Sequence, residues 1–341
     1  MFDAKAYDLI IDARSPREFE EDHIPGAVNL PVVNNEEYAQ VGTLHKTDKH
    51  AAYLIGVAHS LRNMADAING IITTVPKGGK IGVYCFRGGK RSKLWFDALA
   101  TIGYRVERLE GGWKAYRARV RQQLEELPGR FSYNVLCGPT GCGKTRLLSA
   151  LHEAGAQVLD LEAIASHRGS LIGAIPGIAQ PSQKLFDSLL VARLQQLDPA
   201  RAVWLEAESK KIGEVQLPDA LFKAMHAGHC LRLESPMVER VKLWREDYSH
   251  WERDPQALLL RLRHLRPIVG GERFAIWEHM AAAGRISELF ESLMTDHYDP
   301  AYSRSTRKNY PLFDNTPVIV TASLSVNALA AIAKSLLAGV P

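Results

Sequence analysis

Lys80-Ile81-Gly82-Val83-Tyr84-Cys85-Phe86-Arg87-Gly88-Gly89-Lys90-Arg91-Ser92 is the stretch on which the reading of the chain turns. Its first part is a short apolar run that reads as a buried parallel strand, and a helical pattern follows from Ser92 to Ile102. A cysteine therefore stands on a strand-to-helix turn. Gly88 and Gly89 allow positive φ and close backbone approach, so successive amides can converge on one point as an anion nest. Arg87, Lys90 and Arg91 add charge, and the helix N-terminus adds its partial positive charge. Each of these terms favours thiolate over thiol, which makes Cys85 a nucleophile near neutral pH. A lone cysteine at a strand end is more often a small packing residue; the paired glycines and three cations argue for chemistry instead.

Working outward, Tyr7–Asp12 reads as a strand, and Ser15 with Glu18 three residues on forms a capping-box pattern before a helix starting at Pro16. A second short strand precedes Pro31, Ala51–Val75 is largely helical, Arg105–Leu109 is a strand, and Trp113–Leu127 a helix. Strands alternating with helices imply an α/β fold with a parallel sheet, whose active sites lie at the strand carboxyl ends, where Cys85 falls. The polar stretch Asn34–Tyr53 reads as a solvated surface excursion; because Lys46, Lys49 and two histidines cluster there, it also reads as a lid or an RNA contact.

The chain has 341 residues, enough for about two domains. Its net charge of +4 permits a nucleic-acid partner without demanding one. No run approaches the ~18 apolar residues of a membrane span, and Met1-Phe2-Asp3-Ala4-Lys5 carries no signal-peptide pattern. Four cysteines without framework spacing suggest free thiols in a reducing cytoplasm.

Leu127-Pro128-Gly129-Arg130 marks a linker, placing one domain at 1–127 and a second at 131–341, with a helical insertion at about 236–296. Phe131–Cys137 is a strand that runs into Gly138-Pro139-Thr140-Gly141-Cys142-Gly143-Lys144-Thr145 and then a helix over Arg146–Ala154. This is a full P-loop in the strand–loop–helix context that gives it meaning. Gly138, Gly141 and Gly143 shape a ring of amides, Lys144 supplies a point charge, and Thr145 could ligate Mg²⁺. A neighbouring carboxylate usually organises metal and water in such sites. Asp160 and Glu206 end apolar strands, Glu208 follows closely, and the alternative for these acids is capping. Arg168 lies in a polar, Gly-containing loop, His167–Gly173, and Gln180-Pro181-Ser182-Gln183 opens a helix. Cys230–Leu233 and Val318–Thr321 read as strands, helix continues to about Met294, and His297–Tyr302 reads as a turn that ends it. The aromatic set Trp244, Tyr248, Trp251 and Trp277 reads mainly as core, and the cluster Arg261–Arg266 as a solvated face.

Taken in order, Asp12-Ala13-Arg14, Glu18-Phe19, His23-Ile24-Pro25-Gly26-Ala27, Asn29, the Cys85–Ser92 loop and Glu110-Gly111-Gly112-Trp113 resemble the rhodanese family of sulfurtransferases over about the first 125 residues. With the P-loop, His167–Ser170, Gln180–Gln183, Glu206-Ala207-Glu208-Ser209 and His297–Pro300, nearly the whole chain resembles the bacterial tRNA 2-selenouridine synthase family. Position 86 is Phe where many members carry Trp, a conservative departure.

The resemblance implies a tRNA substrate carrying wobble 2-thiouridine, selenophosphate as selenium donor, and geranyl diphosphate as donor for an S-geranyl intermediate. It implies Cys85 as chalcogen carrier, with Arg87, Gly88, Gly89, Lys90, Arg91 and Ser92 around the incoming anion. On the chemistry, Cys85, Arg87, Arg91 and Lys144 are the expected catalytic residues, the P-loop the diphosphate site, and Asp160, Arg168, Glu206 and Glu208 second-site polar groups. No tightly bound cofactor is expected, and a need for Mg²⁺ stays open. Two other readings remain: an ATP-dependent tRNA thiolase, and a non-catalytic anion-sensing module.

Overall fold

The computed structural model describes residues 6–310 and 313–339; Met1–Lys5, read above for a targeting signal, lies outside them. The chain divides into two compact units. One comprises the described residues up to Gln123 together with Pro181–Ala192; the other comprises Leu124–Gln180 and the chain from Arg193 onward. Residues 181–192 thus group with the first unit, a discontinuity that the boundary at 127–131 did not anticipate.

The first unit runs β1 (Leu9–Asp12), α1 (Pro16–Glu21), β2 (Val28–Asn29), α2 (Asn35–Thr47), α3 (Lys49–Thr74), β3 (Lys80–Tyr84), α4 (Lys90–Ile102), β4 (Arg105–Arg108) and α5 (Gly112–Glu126). Its four strands form a parallel sheet in the order β2-β1-β3-β4. The core beneath Cys85 is built from Ile11, Ile81, Val83, Trp95 and Leu99. Asp12 and Arg14 form a fully buried ion pair at 2.6 Å. Arg14 also donates to the Asp22 carbonyl at 2.6 Å and lies against the rings of Tyr84 and Trp113, so the buried charge is satisfied on every side.

The stretch Asn34–Tyr53 is largely solvent-exposed, as expected of a surface excursion, but it is helical. It folds into two helices broken at Asp48, whose side chain accepts from Ala51 N–H and caps α3. Asn34 and Glu37 form a reciprocal capping box at the start of α2, a sequence signal legible beforehand.

The second unit begins with β5 (Tyr133–Cys137), α6 (Lys144–Glu153), β6 (Gln157–Val158) and α7 (Leu161–Ala165). Next in the chain is α8 (Gln183–Leu194), most of which belongs to the first unit. The chain continues through β7 (Val203–Glu206), β8 (Lys211–Ile212), β9 (Val215–Gln216), α9 (Asp219–His226) and β10 (His229–Glu234). A run of helices follows: α10 (Met237–Asp247), α11 (Ser249–Arg253), α12 (Pro255–Leu262), α13 (Arg266–Val269), α14 (Gly271–Ala282), α15 (Ile286–Leu293) and α16 (Asp299–Asn309). β11 (Val318–Val320) and α17 (Val326–Leu337) close it. The main sheet is parallel, in the order β11-β10-β5-β7-β6. The P-loop strand β5 is central, and β7, which carries Glu206, is its neighbour.

The helical part runs past 296. Residues 297–302, read as a terminating turn, instead continue from a π-helical turn, Met294–Tyr298, into α16. Trp244, Tyr248 and Trp277 are core, as expected, and Trp251 is partly buried against them. Two of the four cysteines are not free. Cys137 on β5 and Cys230 on β10 share one sheet face as diagonal neighbours and are joined as a disulfide with Cα atoms 6.4 Å apart. Cys85 and Cys142 are free and buried. A separation of 93 residues hides that pairing until the strand order is known. Among the described residues no helix is long and apolar enough to cross a membrane.

Candidate functional site

In the first unit, β3 ends at Tyr84 and α4 starts at Lys90, so Cys85 occupies the turn between them. Gly88 has φ +72°, as its place in the turn requires, whereas Gly89 lies at φ −90° and caps α4. Only one of the two glycines therefore uses the left-handed region. The tightest constraint is a third glycine. Gly112, at φ +55°, opens α5, and a Cβ there would overlap the Cys85 carbonyl oxygen and stand 2.6 Å from Gly88 N. Trp113 and Lys114 N–H donate to the carbonyls of Cys85 and Phe86, each at 2.9 Å, tying the loop to α5.

The Cys85 thiol is 3% exposed. Its sulfur accepts from Gly89 N–H at 3.2 Å and lies 3.4 Å from the Ser92 hydroxyl. Burial pushes its pKa up, but the Ser92 hydroxyl and amide, the Arg91 charge and the Gly89 amide outweigh it, and the net shift is downward. Of the three loop cations, Arg91 is the one whose charge depresses the thiol; it is itself held by Glu18 at 2.6 Å. Arg87 and Lys90 are exposed and stand against rings, Phe86 at 5.6 Å and Tyr53 at 3.4 Å.

In the second unit, the P-loop connects β5 to α6. A Cβ on Gly138, at φ +146°, would overlap the Leu233 carbonyl oxygen, so only glycine fits beside β10. Lys144 Nζ is turned onto the loop, donating to the carbonyls of Gly138 at 3.0 Å and Pro139 at 3.3 Å. The Tyr302 hydroxyl, from α16, accepts from Gly138 N–H at 2.6 Å. Arg240, buried on α10, donates twice to the Thr140 carbonyl, at 2.9 and 2.7 Å, and makes a two-point pair with Asp299 at 2.8 and 2.6 Å. The loop is thus held from outside by Arg240, Asp299 and Tyr302, of which only Asp299 falls in a stretch that carries the family resemblance, His297–Pro300.

Above the loop lies a cavity of about 520 Å³. Its polar lining includes Lys144, Thr145, Glu162, Arg168, Glu206 and Glu208. Aromatic and apolar side chains line it too, Leu171, Trp244, Tyr248, Tyr298 and Tyr302, with the Tyr302 ring 5.3 Å from Lys144 Nζ. The buried Tyr310 hydroxyl, also at the cavity, has no hydrogen-bond partner among the described residues. Burial raises all three carboxyls, Glu162 to about 10 and Glu208 to about 8; repulsion from Glu206 adds at both of these and repulsion from Asp160 adds at Glu206, with Lys144 acting against the shift. Glu206 is also hydrogen-bonded by Thr145. For Lys144, burial opposes the charge, but Cys142, Tyr302 and the glutamates more than offset it, and its pKa rises.

The expected second-site group is met in part. Glu206, Glu208 and Arg168 line the cavity, with Arg168 lying 5.2 Å from the Tyr248 ring. Asp160 instead caps α7, accepting from Ala163 N–H at 2.8 Å, which is the alternative weighed for it. Glu162, in the first turn of α7, takes a place in the cluster that the sequence did not mark. Among the described residues no three His, Cys, Asp or Glu side chains converge as a metal cage. Thr145 with Glu206 offers two oxygens, which fits an ion such as Mg²⁺ that keeps water and phosphate oxygens as its other ligands.

Comparison with known proteins matches both units. Residues 1–119 match the model of the rhodanese-like domain, and residues 130–257 match the tRNA 2-selenouridine synthase AAA domain. Proteins named tRNA 2-selenouridine synthase are similar over most of the chain. That of Hydrogenovibrio crunogenus is 33% identical, covering 88% of this chain and 89% of the relative. That of Marinobacter nauticus is 32% identical, covering 86% and 87%. That of Nitrosomonas europaea is 37% identical over 70% of this chain and 63% of the relative. With a rhodanese-type cysteine loop and a P-loop in one polypeptide, and relatives of this identity spanning both, the chain belongs to the tRNA 2-selenouridine synthase family.

Proposed function

We propose that the protein replaces sulfur by selenium at C2 of wobble 2-thiouridine in tRNA, in two steps, one at each loop. A thiocarbonyl sulfur is a poor leaving group and must first be activated. In the first step the sulfur attacks C1 of geranyl diphosphate, the C1–O bond breaks, diphosphate departs and the base loses its N3 proton. Lys144 and the loop amides stabilise the departing diphosphate. In the second step the selenium of selenophosphate adds at C2, the C2–S bond breaks and geranyl thiolate leaves, and water cleaves the P–Se bond to release phosphate, with the loop cations guiding the anion and Cys85 at the place of transfer. The wobble base is unpaired, so the cost of exposing it is small.

The observation that carries this reading is the mixed lining of the cavity, in which a phosphate loop and Lys144 stand together with aromatic and aliphatic side chains. An anionic diphosphate bearing a prenyl chain calls for both kinds of surface. Mg²⁺ held by Thr145 and Glu206 would neutralise the phosphates in the same place. The Thr145–Glu206 pair also favours a second reading, in which a nucleotide triphosphate binds the loop and activates the base.

Nucleoside mass spectrometry separates the two. Wild type, Cys85→Ser and Lys144→Ala are incubated with 2-thiouridine tRNA, geranyl diphosphate and selenophosphate, without ATP. Wild type should yield 2-selenouridine, Cys85→Ser should stop at the S-geranyl nucleoside, and Lys144→Ala should leave 2-thiouridine. S-geranyl product from Lys144→Ala sinks the diphosphate assignment, and product that forms only after ATP is added transfers the function to the nucleotide-dependent reading.

A further inference from the structure

The Cys85 sulfur presents a problem of reach. At 3% exposure it cannot itself touch a nucleobase. The base has to meet a selenium donor at the mouth of the loop, outside the buried sulfur. A base must therefore be held at the rim of the loop, close and in a fixed orientation. The rim is formed by Arg87 and Lys90, both exposed.

Two aromatic rings continue that rim. Tyr38 on α2 is 45% exposed and Tyr53 on α3 is 43% exposed. Each lies against a cation of the cysteine loop: Lys90 Nζ is 3.4 Å from the Tyr53 ring centroid, and the Arg91 guanidinium is 5.4 Å from that of Tyr38. His45, in the last turn of α2, makes an edge contact with Tyr53 at 5.6 Å, and Lys46 follows it. Exposed rings interleaved with cations, next to a buried nucleophile, are the elements by which proteins hold single-stranded nucleic acid: a flat surface for a base and charges for its phosphates.

We propose that Tyr38 and Tyr53 form a stacking shelf for an unpaired RNA base beside Cys85, with Arg87 and Lys90 taking the flanking phosphates. This deepens the reading above, since it rests on tRNA being the substrate. It assigns the α2–α3 hairpin, which has no part in the sulfur or phosphate chemistry, to substrate positioning. The shelf recognises the planar faces of bases and contributes little to choosing among them, because every base has such a face.

The test uses the full-length protein and an anticodon stem–loop RNA with 2-aminopurine at the wobble position, whose fluorescence falls on stacking. Wild type should bind and quench. Tyr38→Ala/Tyr53→Ala should lose the quenching and bind about tenfold or more weakly, in keeping with the worth of a stacked base. Tyr38→Phe/Tyr53→Phe should restore both, because stacking needs the ring and not the hydroxyl. Lys90→Ala should weaken binding and lower the salt slope by about one. Wild-type quenching retained in the double alanine variant overturns the shelf and leaves the tRNA reading intact; failure of wild type to bind the stem–loop overturns both. Circular dichroism of the alanine variant, expected to match wild type because both side chains are exposed, separates lost stacking from lost fold.

Discussion

The cysteine loop and the P-loop are built on one plan and supported in two ways. Each joins a central parallel strand to a helix N-terminus, and each depends on a glycine where a Cβ would strike backbone. The cysteine loop is steadied by Ser92 and Gly89 at the sulfur and by Gly112 beneath, and through Arg91 by Glu18, 73 residues away in sequence. Much of that support lies within about thirty residues of Cys85. The P-loop is steadied by Arg240, Asp299 and Tyr302, distant in sequence and carried on α10 and α16. The difference is one of reach: most partners of the cysteine loop lie near it in sequence, whereas the P-loop is tied to α10 and α16, helices that also contribute to the lining of the cavity above it.

Substitutions can break or sharpen this contrast. The largest expected effect is at Arg240→Ala, which leaves Asp299 without its partner and the Thr140 carbonyl without donors; a loss of about 3 kcal/mol is expected, read from denaturant unfolding, together with loss of phosphate-ligand binding. Wild-type stability in this variant would mean the P-loop stands by itself. Next comes Gly112→Ala. It should cost about 1–3 kcal/mol through strain at the turn and slow alkylation of Cys85, while ligand binding at the P-loop stays as in wild type. If both loops suffer equally, their supports are not separate.

A smaller effect is expected at Glu208→Gln. The Glu208 carboxyl is raised to about 8 in the folded chain by burial and by Glu206. The folded state then holds a proton that the unfolded chain releases above its ordinary carboxyl pKa. The corresponding stability is complete below that value and is lost as pH rises to about 8. The amide removes this loss, so its Tm should exceed wild type by about 2–4 °C at pH 8 and match it at pH 4. An equal gain at both pH values would rule out the carboxyl as the cause. The smallest change is at Ser92→Ala. Without that hydroxyl the Cys85 pKa should rise, shifting the pH profile of iodoacetamide labelling to higher pH with the fold intact. An unmoved profile would leave the Arg91 charge and Gly89 amide as sufficient.

Legibility in the sequence follows the same division. The strand–turn–helix frames of both loops and the parallel sheets could be read from local spacing, because local backbone requirements create those patterns. The exposure of Asn34–Tyr53 and most of α3 could be read from composition and pattern, whereas the helical form of α2 was signalled only by the capping box at Asn34 and Glu37. Glu162 and Arg240 were missed because their roles arise only when distant elements pack, and an acid or a base on a helix carries no mark of the surface it meets. The link between Cys137 and Cys230 was hidden by strand order. Asp160 was correctly placed at a strand end, and geometry then chose capping over the cavity.

The segment Pro181–Ala192 has a further consequence. Its Ser188 donates to buried Asp22 at 2.7 Å, and its Asp187 pairs with Arg117. A ribosome adding about 5–20 residues per second will have released all of β1 through α5 seconds before this piece emerges. Until then Asp22 has Trp113 as a partner but lacks Ser188. The nascent first unit therefore waits, incomplete, on its own downstream sequence. A gene cut at the linker would leave that wait permanent, and the excised fragment would carry a buried acid with half its donors.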